Sequence, residues 1–415
     1  MNLNKSDYKI CVVGMGYVGL PLAARLSLKE FNVVGFDINE TRVQELCNNV
    51  DRNDDIELAN LKILNLNSQL TSNSSDIKDC NIFIITVPTP INDDKTPNLD
   101  PIKASSKLIG SLLMKGSIII YESTVYPGVT DDICTPILEK ESDLIFNKDF
   151  STGYSPERIV PGDKVNTIEN IKKVVSASNL KALKTISYMY SSIIDAGIHE
   201  APSIKVAEAS KVTENIQRDV NIALINEMHQ LYSSIGINTN DVIEAASTKW
   251  NFMKLSPGLV GGHCISIDPY YLMHKSETSG YIPNIMRASR KINDEMGDWV
   301  HSAFIKFSKK LNIDLSTTNI TFLGYTFKEN CSDIRNTKVH DLIINIKNSG
   351  VKVSLWDPLV SEEELLKLEK NGIEVYWSKP DSIEFAFLCV PHNEVVKFIE
   401  NYDGPIFDYR NINFN

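Results

Sequence analysis

Cys264 is the residue of this chain whose setting most suggests chemistry. It follows Gly261-Gly262-His263, so the backbone there can approach a ligand closely and the thiol can be presented openly, with Asp268 four residues on. A thiolate is a strong nucleophile and a good leaving group, so the expectation is covalent catalysis at Cys264. The other cysteines read differently. Cys11, Cys80 and Cys389 sit in or beside apolar strands, where cysteine is usually a small core residue, and Cys47 and Cys134 lie in helical stretches. Cys331 lies in a polar loop and is the alternative nucleophile. His263 is given no role. Lys211 and Asn215 are four apart in a long helical stretch, hence on one face. A cation and an amide there can stabilise an oxyanion, or they form no more than a solvated helix face.

A second constellation is Gly14-Met15-Gly16-Tyr17-Val18-Gly19, which follows an apolar strand and opens a helix. Gly14 permits the tight turn, Gly16 lets the backbone approach a pyrophosphate, and Gly19 allows close helix–strand packing. The helix N-terminus then favours the phosphate charge. Asp37 closes the next strand, where a carboxylate binds ribose hydroxyls and repels a 2′-phosphate. The expected cofactor is NAD rather than NADP.

The elements that must hold these residues follow from hydrophobic patterning. Strands are expected at 8–13, 32–36, 82–87, 118–121 and 174–177, with amphipathic stretches such as 102–114 and 129–138 between them. That alternation implies a parallel, doubly wound sheet. From 203 the pattern turns helical: 203–235 has no proline or glycine, and 241–246 and 284–311 follow. Alternation returns at 320 and echoes the first block. VKVSLWD (351–357) resembles VVGFD (33–37), and FAFLCVP (385–391) resembles IFIITVP (82–88). The corresponding turn, Gly324 to Lys328, lacks the glycine triplet, so a ligand other than a dinucleotide is expected there. The expected fold is α/β: Rossmann-like doubly wound domains at 1–202 and 313–415, joined by a helical central domain, 203–312, with a long connecting helix.

Composition narrows the partners. The chain has 415 residues, 42% of them apolar and 23% charged, a formal charge of −11 and a pI of about 5.2. An acidic chain lacks the cationic footprint that nucleic acid or an anionic membrane requires, so neither is an expected partner. Any anionic ligand must be held by local donors. No stretch approaches the ~20 apolar residues of a membrane span, and the opening residues lack the features of a signal peptide. Seven cysteines without a C-x-x-C pair suggest neither a zinc site nor a disulfide framework. A reducing cytoplasm and no metal are expected.

Taken together, these segments resemble the UDP-glucose/GDP-mannose dehydrogenase family from about residue 10 to 410. The markers are GMGYVGLP (14–21), TVPTP (86–90), ESTVYPG (122–128), SPER (155–158), the helix of Lys211 and Asn215, GGHCISIDP (261–269) and FKENCSDIRNT (327–337). The resemblance implies oxidation of a sugar C6 alcohol to the carboxylate with two NAD, through a thiohemiacetal and then a thioester on Cys264. It implies that Lys211 and Asn215 stabilise the oxyanion, that Asp268 assists proton transfer, that Thr124 positions the hydrolytic water and that Glu157 acts as its base. Cofactor contacts are implied for Gly14, Gly16, Tyr17, Val18, Gly19, Asp37, Arg42, Thr86, Pro88, Thr89, Thr124 and Arg335. Substrate contacts are implied for Glu157, Arg158, Lys211, Asn215, Lys249, Gly261 and Lys328.

Finer features point within the family. Members acting on UDP-glucose commonly continue the SPE segment with Phe-Leu and a second Glu. Here Glu157-Arg-Ile-Val-Pro161 has none, which is similar to members acting on UDP-N-acetylhexosamines. Residues 214–227 and 249–264 resemble those acting on UDP-N-acetylglucosamine and UDP-N-acetylgalactosamine in surface-polysaccharide pathways. Ser266 stands where many of these have glycine. UDP-N-acetylmannosamine and UDP-glucose are alternative substrates, and a non-catalytic NAD-binding protein and a hydroxy-acid dehydrogenase are alternative classes. The resemblance also implies a homodimer through the apolar stretch 216–235, with Lys249 reaching a neighbouring subunit.

Overall fold

A computed structural model describes residues 4–53, 55–159 and 166–411. By packing, the chain divides into two units. One runs to Glu214 and includes Tyr270–Gly280; the other comprises Asn215–Pro269 and everything from Tyr281 onward.

The first unit is built on runs such as Ile10-Cys11-Val12-Val13 and Ile82-Phe83-Ile84-Ile85, which are buried throughout. Strands apolar on both faces must be covered on both sides, which favours a parallel sheet with flanking helices. The strands are β1 (Lys9–Val13), β2 (Asn32–Phe36), β3 (Gln69–Thr71), β4 (Ile82–Ile85), β5 (Ile118–Tyr121), β6 (Ser151–Tyr154), β7 (Lys173–Ala177) and β8 (Ile198–Glu200). They lie in the order β3-β2-β1-β4-β5-β6-β7-β8, and only β6 and β7 pair antiparallel. Helices Gly19–Leu28 and Leu180–Ile193 pack into the core formed by β1, β4 and β5. The winding reverses between β1 and β4, the switch point where open α/β sheets bind ligands.

The second unit carries β9 (Asn319–Leu323), β10 (Lys352–Trp356), β11 (Glu374–Val375), β12 (Phe385–Leu388) and β13 (Ile406–Asp408), in the order β11-β10-β9-β12-β13 and all parallel. This repeats the order of β3-β2-β1-β4-β5, so the sequence echo corresponds to a repeated topology. Its core is aromatic: Phe304 of helix Asn284–Lys310 meets Phe385, Phe387 and Phe407 at 5.7, 5.2 and 5.5 Å between ring centroids. Between residues 204 and 310 the described chain is helical without strands, with Ile204–Ser234, Thr239–Ser247, Asp268–Thr278 and Asn284–Lys310 as its helices. The division into units falls inside the first of these, after Glu214.

The repeat extends to the turns. Gly14 and Gly324 both have positive φ, 101° and 87°, which a side chain would strain. Gly14 N donates to Phe36 O at 2.7 Å, and Gly324 N to Trp356 O at 2.9 Å. The next residue in each turn donates its N–H to the acid closing the second strand: Met15 N to Asp37 Oδ2 at 2.7 Å, and Tyr325 N to Asp357 Oδ2 at 2.6 Å.

Candidate active site

In the first unit, Asp37 is half-buried, and besides Met15 N it accepts Asn39 N at 2.9 Å on Oδ1. Both bonds fix the carboxylate against the glycine turn. A Cβ at Gly16 would meet no protein atom within 4 Å, whereas one at Gly19 would strike Gly14 O at 1.8 Å. Gly19 is therefore demanded by packing. Gly16 opens onto space beside a helix N-terminus, which fits a pyrophosphate. Thr86 is buried and donates to Val13 O or Gly14 O, at 3.0 and 2.9 Å, so it braces this turn. Tyr17, Val18 and Thr89 are half-buried and Pro88 is exposed. Arg42 is buried; its guanidinium bonds Met15 O, Asp51 and Asp55 at 3.0, 2.7 and 3.1 Å, and so supports the turn from behind.

At the carboxyl edge of the same sheet lies a cluster of which the sequence pointed only to Glu157 as a site residue. Lys173, at the start of β7, donates to Glu122 Oε2 at 2.8 Å and to Glu157 Oε2 at 2.6 Å. Tyr190 donates to the other Glu122 oxygen. Glu157 Oε1 accepts the backbone N–H of Arg158 and Ile159 at 2.6 and 2.8 Å. All four side chains are buried. Burial, opposed by Lys173, pushes the Glu122 carboxyl up to about 7. Burial would raise Glu157 too, but Lys173 and the two N–H groups outweigh it and hold it below the ordinary carboxylate range. The available signal was charge at the end of each apolar strand, Glu122 after 118–121 and the pair Lys172-Lys173 before 174–177. Arg158 is engaged by both oxygens of Glu214 and by Lys172 O. Pro161 lies outside the described residues.

Thr124 is half-buried in the loop that ends at Gly128. Glu208 holds that end, accepting Gly128 N at 2.6 Å and Thr130 N at 2.9 Å, and burial pushes its carboxyl up to about 7. Lys211, three residues on in the same helix, is 7% exposed, and among the described residues its ammonium has no hydrogen-bond or ion-pair partner. An ammonium with no protein counter-charge is available to pair with an anionic ligand.

The second unit holds the loop of the candidate nucleophile Cys264. Cys264 is half-buried, while Cys331 is 4% exposed and its thiol is pushed up by burial. The polar neighbours of Cys331 misled: its loop closes on itself, Phe327 N to Asp333 O at 3.1 Å, and turns the thiol inward. The backbone of Ile267 and Asp268 donates to Cys264 O at 3.1 and 2.8 Å, leading into helix Asp268–Thr278. Asp268 is 1% exposed, and its Oδ2 accepts Asn215 Nδ2 at 2.5 Å. Ser266 donates to Gly262 O at 2.7 Å, closing the loop from within. Gly261 abuts the 327–337 loop, where a Cβ would lie 2.7 Å from Asn336 O; Asn336 Nδ2 donates to Gly262 O at 3.1 Å. Lys328 is half-buried, Lys249 is exposed, and Arg335 is exposed and paired with Asp333. Burial, then Arg335, lowers His263 to about 4, so it is neutral near pH 7.

The chain belongs to the UDP-glucose/GDP-mannose dehydrogenase family: residues 8–194 match its NAD binding domain, 205–295 its central domain and 321–414 its UDP binding domain. It is 51% identical to a UDP-N-acetyl-D-glucosamine 6-dehydrogenase of Pseudomonas aeruginosa over 388 residues, 94% of this chain and 91% of that one. It is 46% identical to one from Salmonella typhi over 391 residues, again 94% and 91%. Among solved structures it is similar to a UDP-N-acetyl-mannosamine dehydrogenase from S. aureus, with a TM-score of 0.82, 26% identity and coverage of 98% and 96%. The chain is thus an NAD-dependent dehydrogenase with a UDP-binding domain.

Proposed function

We propose that this enzyme oxidises C6 of UDP-N-acetylglucosamine to the uronic acid, with Cys264 as covalent nucleophile. The observation that carries the reading is the half-buried Cys264 in a glycine loop beside the Asn215–Asp268 pair. The identities of 51% and 46% to enzymes named for that substrate support the choice of sugar. NAD, when bound, accepts hydride at each of two oxidations. Cys264 adds to the aldehyde as a thiohemiacetal, which becomes a thioester that water cleaves. Lys211 and Asn215 stabilise the oxyanion, and Thr124 positions the water. Asp268 is assigned the proton transfer. Glu157, whose oxygens already accept from three donors that make it a weak base, is assigned to orienting the 155–159 segment instead of serving as base.

The assembly is proposed as a homodimer through helix Ile204–Ser234, on which Leu224, Leu231 and Ile235 leave an exposed apolar stripe extending just past the helix end. A cytoplasmic role in surface-polysaccharide synthesis accords with seven free cysteines. Among the described residues no helix is long and apolar enough to cross a membrane.

The test is NADH formed per sugar consumed across UDP-N-acetylglucosamine, its galacto and manno epimers and UDP-glucose. Two NADH per sugar, fastest with the gluco epimer, is expected. One NADH per sugar would remove the thioester mechanism, and a preference for another sugar would reassign the substrate.

A further inference from the structure

The repeated turn in the second unit is not a copy of the first, and the difference lies in what the acid does. Asp37 offers its half-buried carboxylate to two backbone N–H groups. Asp357 is 4% exposed and is closed off by His392, whose Nε2 lies 3.1 Å from Asp357 Oδ2. His392 follows β12, and the Gly324 turn follows β9, so the ring occupies the switch point of its sheet. There it meets the loop that carries Lys328. Asn330 N donates to His392 Nδ1 at 2.9 Å, and Thr326 Oγ1 lies 3.1 Å from Nε2. Thr326 Oγ1 also donates to Lys328 O at 2.8 Å, and Asn330 and Asn393 exchange bonds at 3.0 and 3.3 Å.

The direction of these bonds fixes the ring. A backbone N–H can only donate, so Nδ1 is the bare nitrogen and Nε2 carries the proton, given to a carboxylate that can only accept. Asp357 in turn takes Tyr325 N, Thr326 N and Leu359 N. Three residues of one loop, Tyr325, Thr326 and Asn330, therefore converge on a buried Asp–His pair. The far end of the loop touches the nucleophile's segment through Asn336 and Gly262.

We propose that His392 is a positioning residue for nucleotide binding: it uses the carboxylate that would otherwise face a ribose to latch the 325–330 loop, and so holds Lys328 in place for the UDP group. This rests on the functional reading above. The test measures UDP binding by titration calorimetry, with KM for the UDP-sugar and for NAD alongside. His392→Ala should weaken UDP at least tenfold and raise KM for the sugar, with KM for NAD and cofactor binding unchanged. His392→Asn, whose Oδ1 can still accept from Asn330 N, should recover part of the loss. Because a buried histidine is also a packing element, the latch is broken at a second point as well. Thr326→Val keeps the side chain's shape but removes the hydroxyl that lies against His392 Nε2 and donates to Lys328 O, while Thr326→Ser keeps that hydroxyl. The valine variant should reproduce the weakening and the serine variant should not. Unaltered UDP affinity in both His392→Ala and Thr326→Val would overturn the proposal. Failure of the unaltered enzyme to bind UDP would instead overturn the functional reading itself.

Discussion

Asn215 donates its amide to Asp268 at 2.5 Å, tying the long helix to the first turn of the helix that follows the Cys264 loop. The bond orients both groups: the carboxylate is held on one oxygen, and the amide carbonyl is turned away from it. Asn215→Ala should lower kcat by roughly 10²-fold, the usual loss when an oxyanion donor is removed, with a smaller change in KM. Asp268→Asn keeps a hydrogen-bond partner for Asn215 but no longer takes a proton. It should fold normally and stall at the thioester, forming two NADH but less than one equivalent of free uronic acid per active site in a single-turnover assay.

The exposures of the cysteines give opposite forecasts for two thiols. Iodoacetamide should label Cys264 and the exposed Cys47 ahead of the buried Cys331. Cys264→Ser should bind NAD and UDP normally yet lose the full oxidation, because a hydroxyl is hardly ionised near neutral pH. Cys331→Ser should retain substantial activity. Mass spectrometry of the trapped acyl adduct decides the matter, and an adduct on Cys331 would move the role there.

Lys173 stands between two buried carboxylates. Lys173→Met leaves both uncompensated and should cost roughly 3–5 kcal/mol of stability, as breaking a buried ion pair does. Lys173→Arg should restore part of it. Denaturant melts of the intact chain measure both, and a loss below about 1 kcal/mol, the scale of a surface pair, would mean the cluster is solvated in solution.

Acid should favour this fold through two groups. The Glu122 and Glu208 carboxyls are both raised from 4.5 to about 7, chiefly by burial. The native protein then keeps protons that the unfolded chain releases. Their contribution is full below pH 4.5 and is lost as pH climbs through about 7. Glu208→Gln should flatten part of that slope, read as denaturation midpoints across the window.

The stripe Leu224, Leu231 and Ile235 predicts association. Light scattering should give a multiple of 46.5 kDa, and Leu231→Glu should return the single-chain mass.

The sheets were legible where apolar runs are long. β2 and β5 match their expected bounds, and the repeat was readable from VVGFD and VKVSLWD. β3, β6 and β8 were not, because Ser151-Thr-Gly-Tyr and Ile198-His-Glu carry little apolar pattern and owe their pairing to neighbours. The glycines before Cys264 marked its loop as one that packs closely, and Gly261 does lie against the 327–337 loop. The charged cluster was not legible, since Glu122, Glu157 and Lys173 meet only because the ends of β5, β6 and β7 share one edge, which Tyr190 reaches from helix Leu180–Ile193. His392 was equally hidden: nothing beside it in sequence names Asp357 as its partner.

Gly16 separates two demands that usually coincide. Since no protein atom crowds its missing Cβ, alanine there should leave the melting temperature nearly unchanged while obstructing the pyrophosphate. Abundance and turnover can therefore be uncoupled at this one position. A cell expressing the Gly16→Ala chain would carry a full complement of enzyme and little flux. The same variant offers a folded, catalytically silent protein on which sugar-nucleotide recognition can be studied without consuming the sugar.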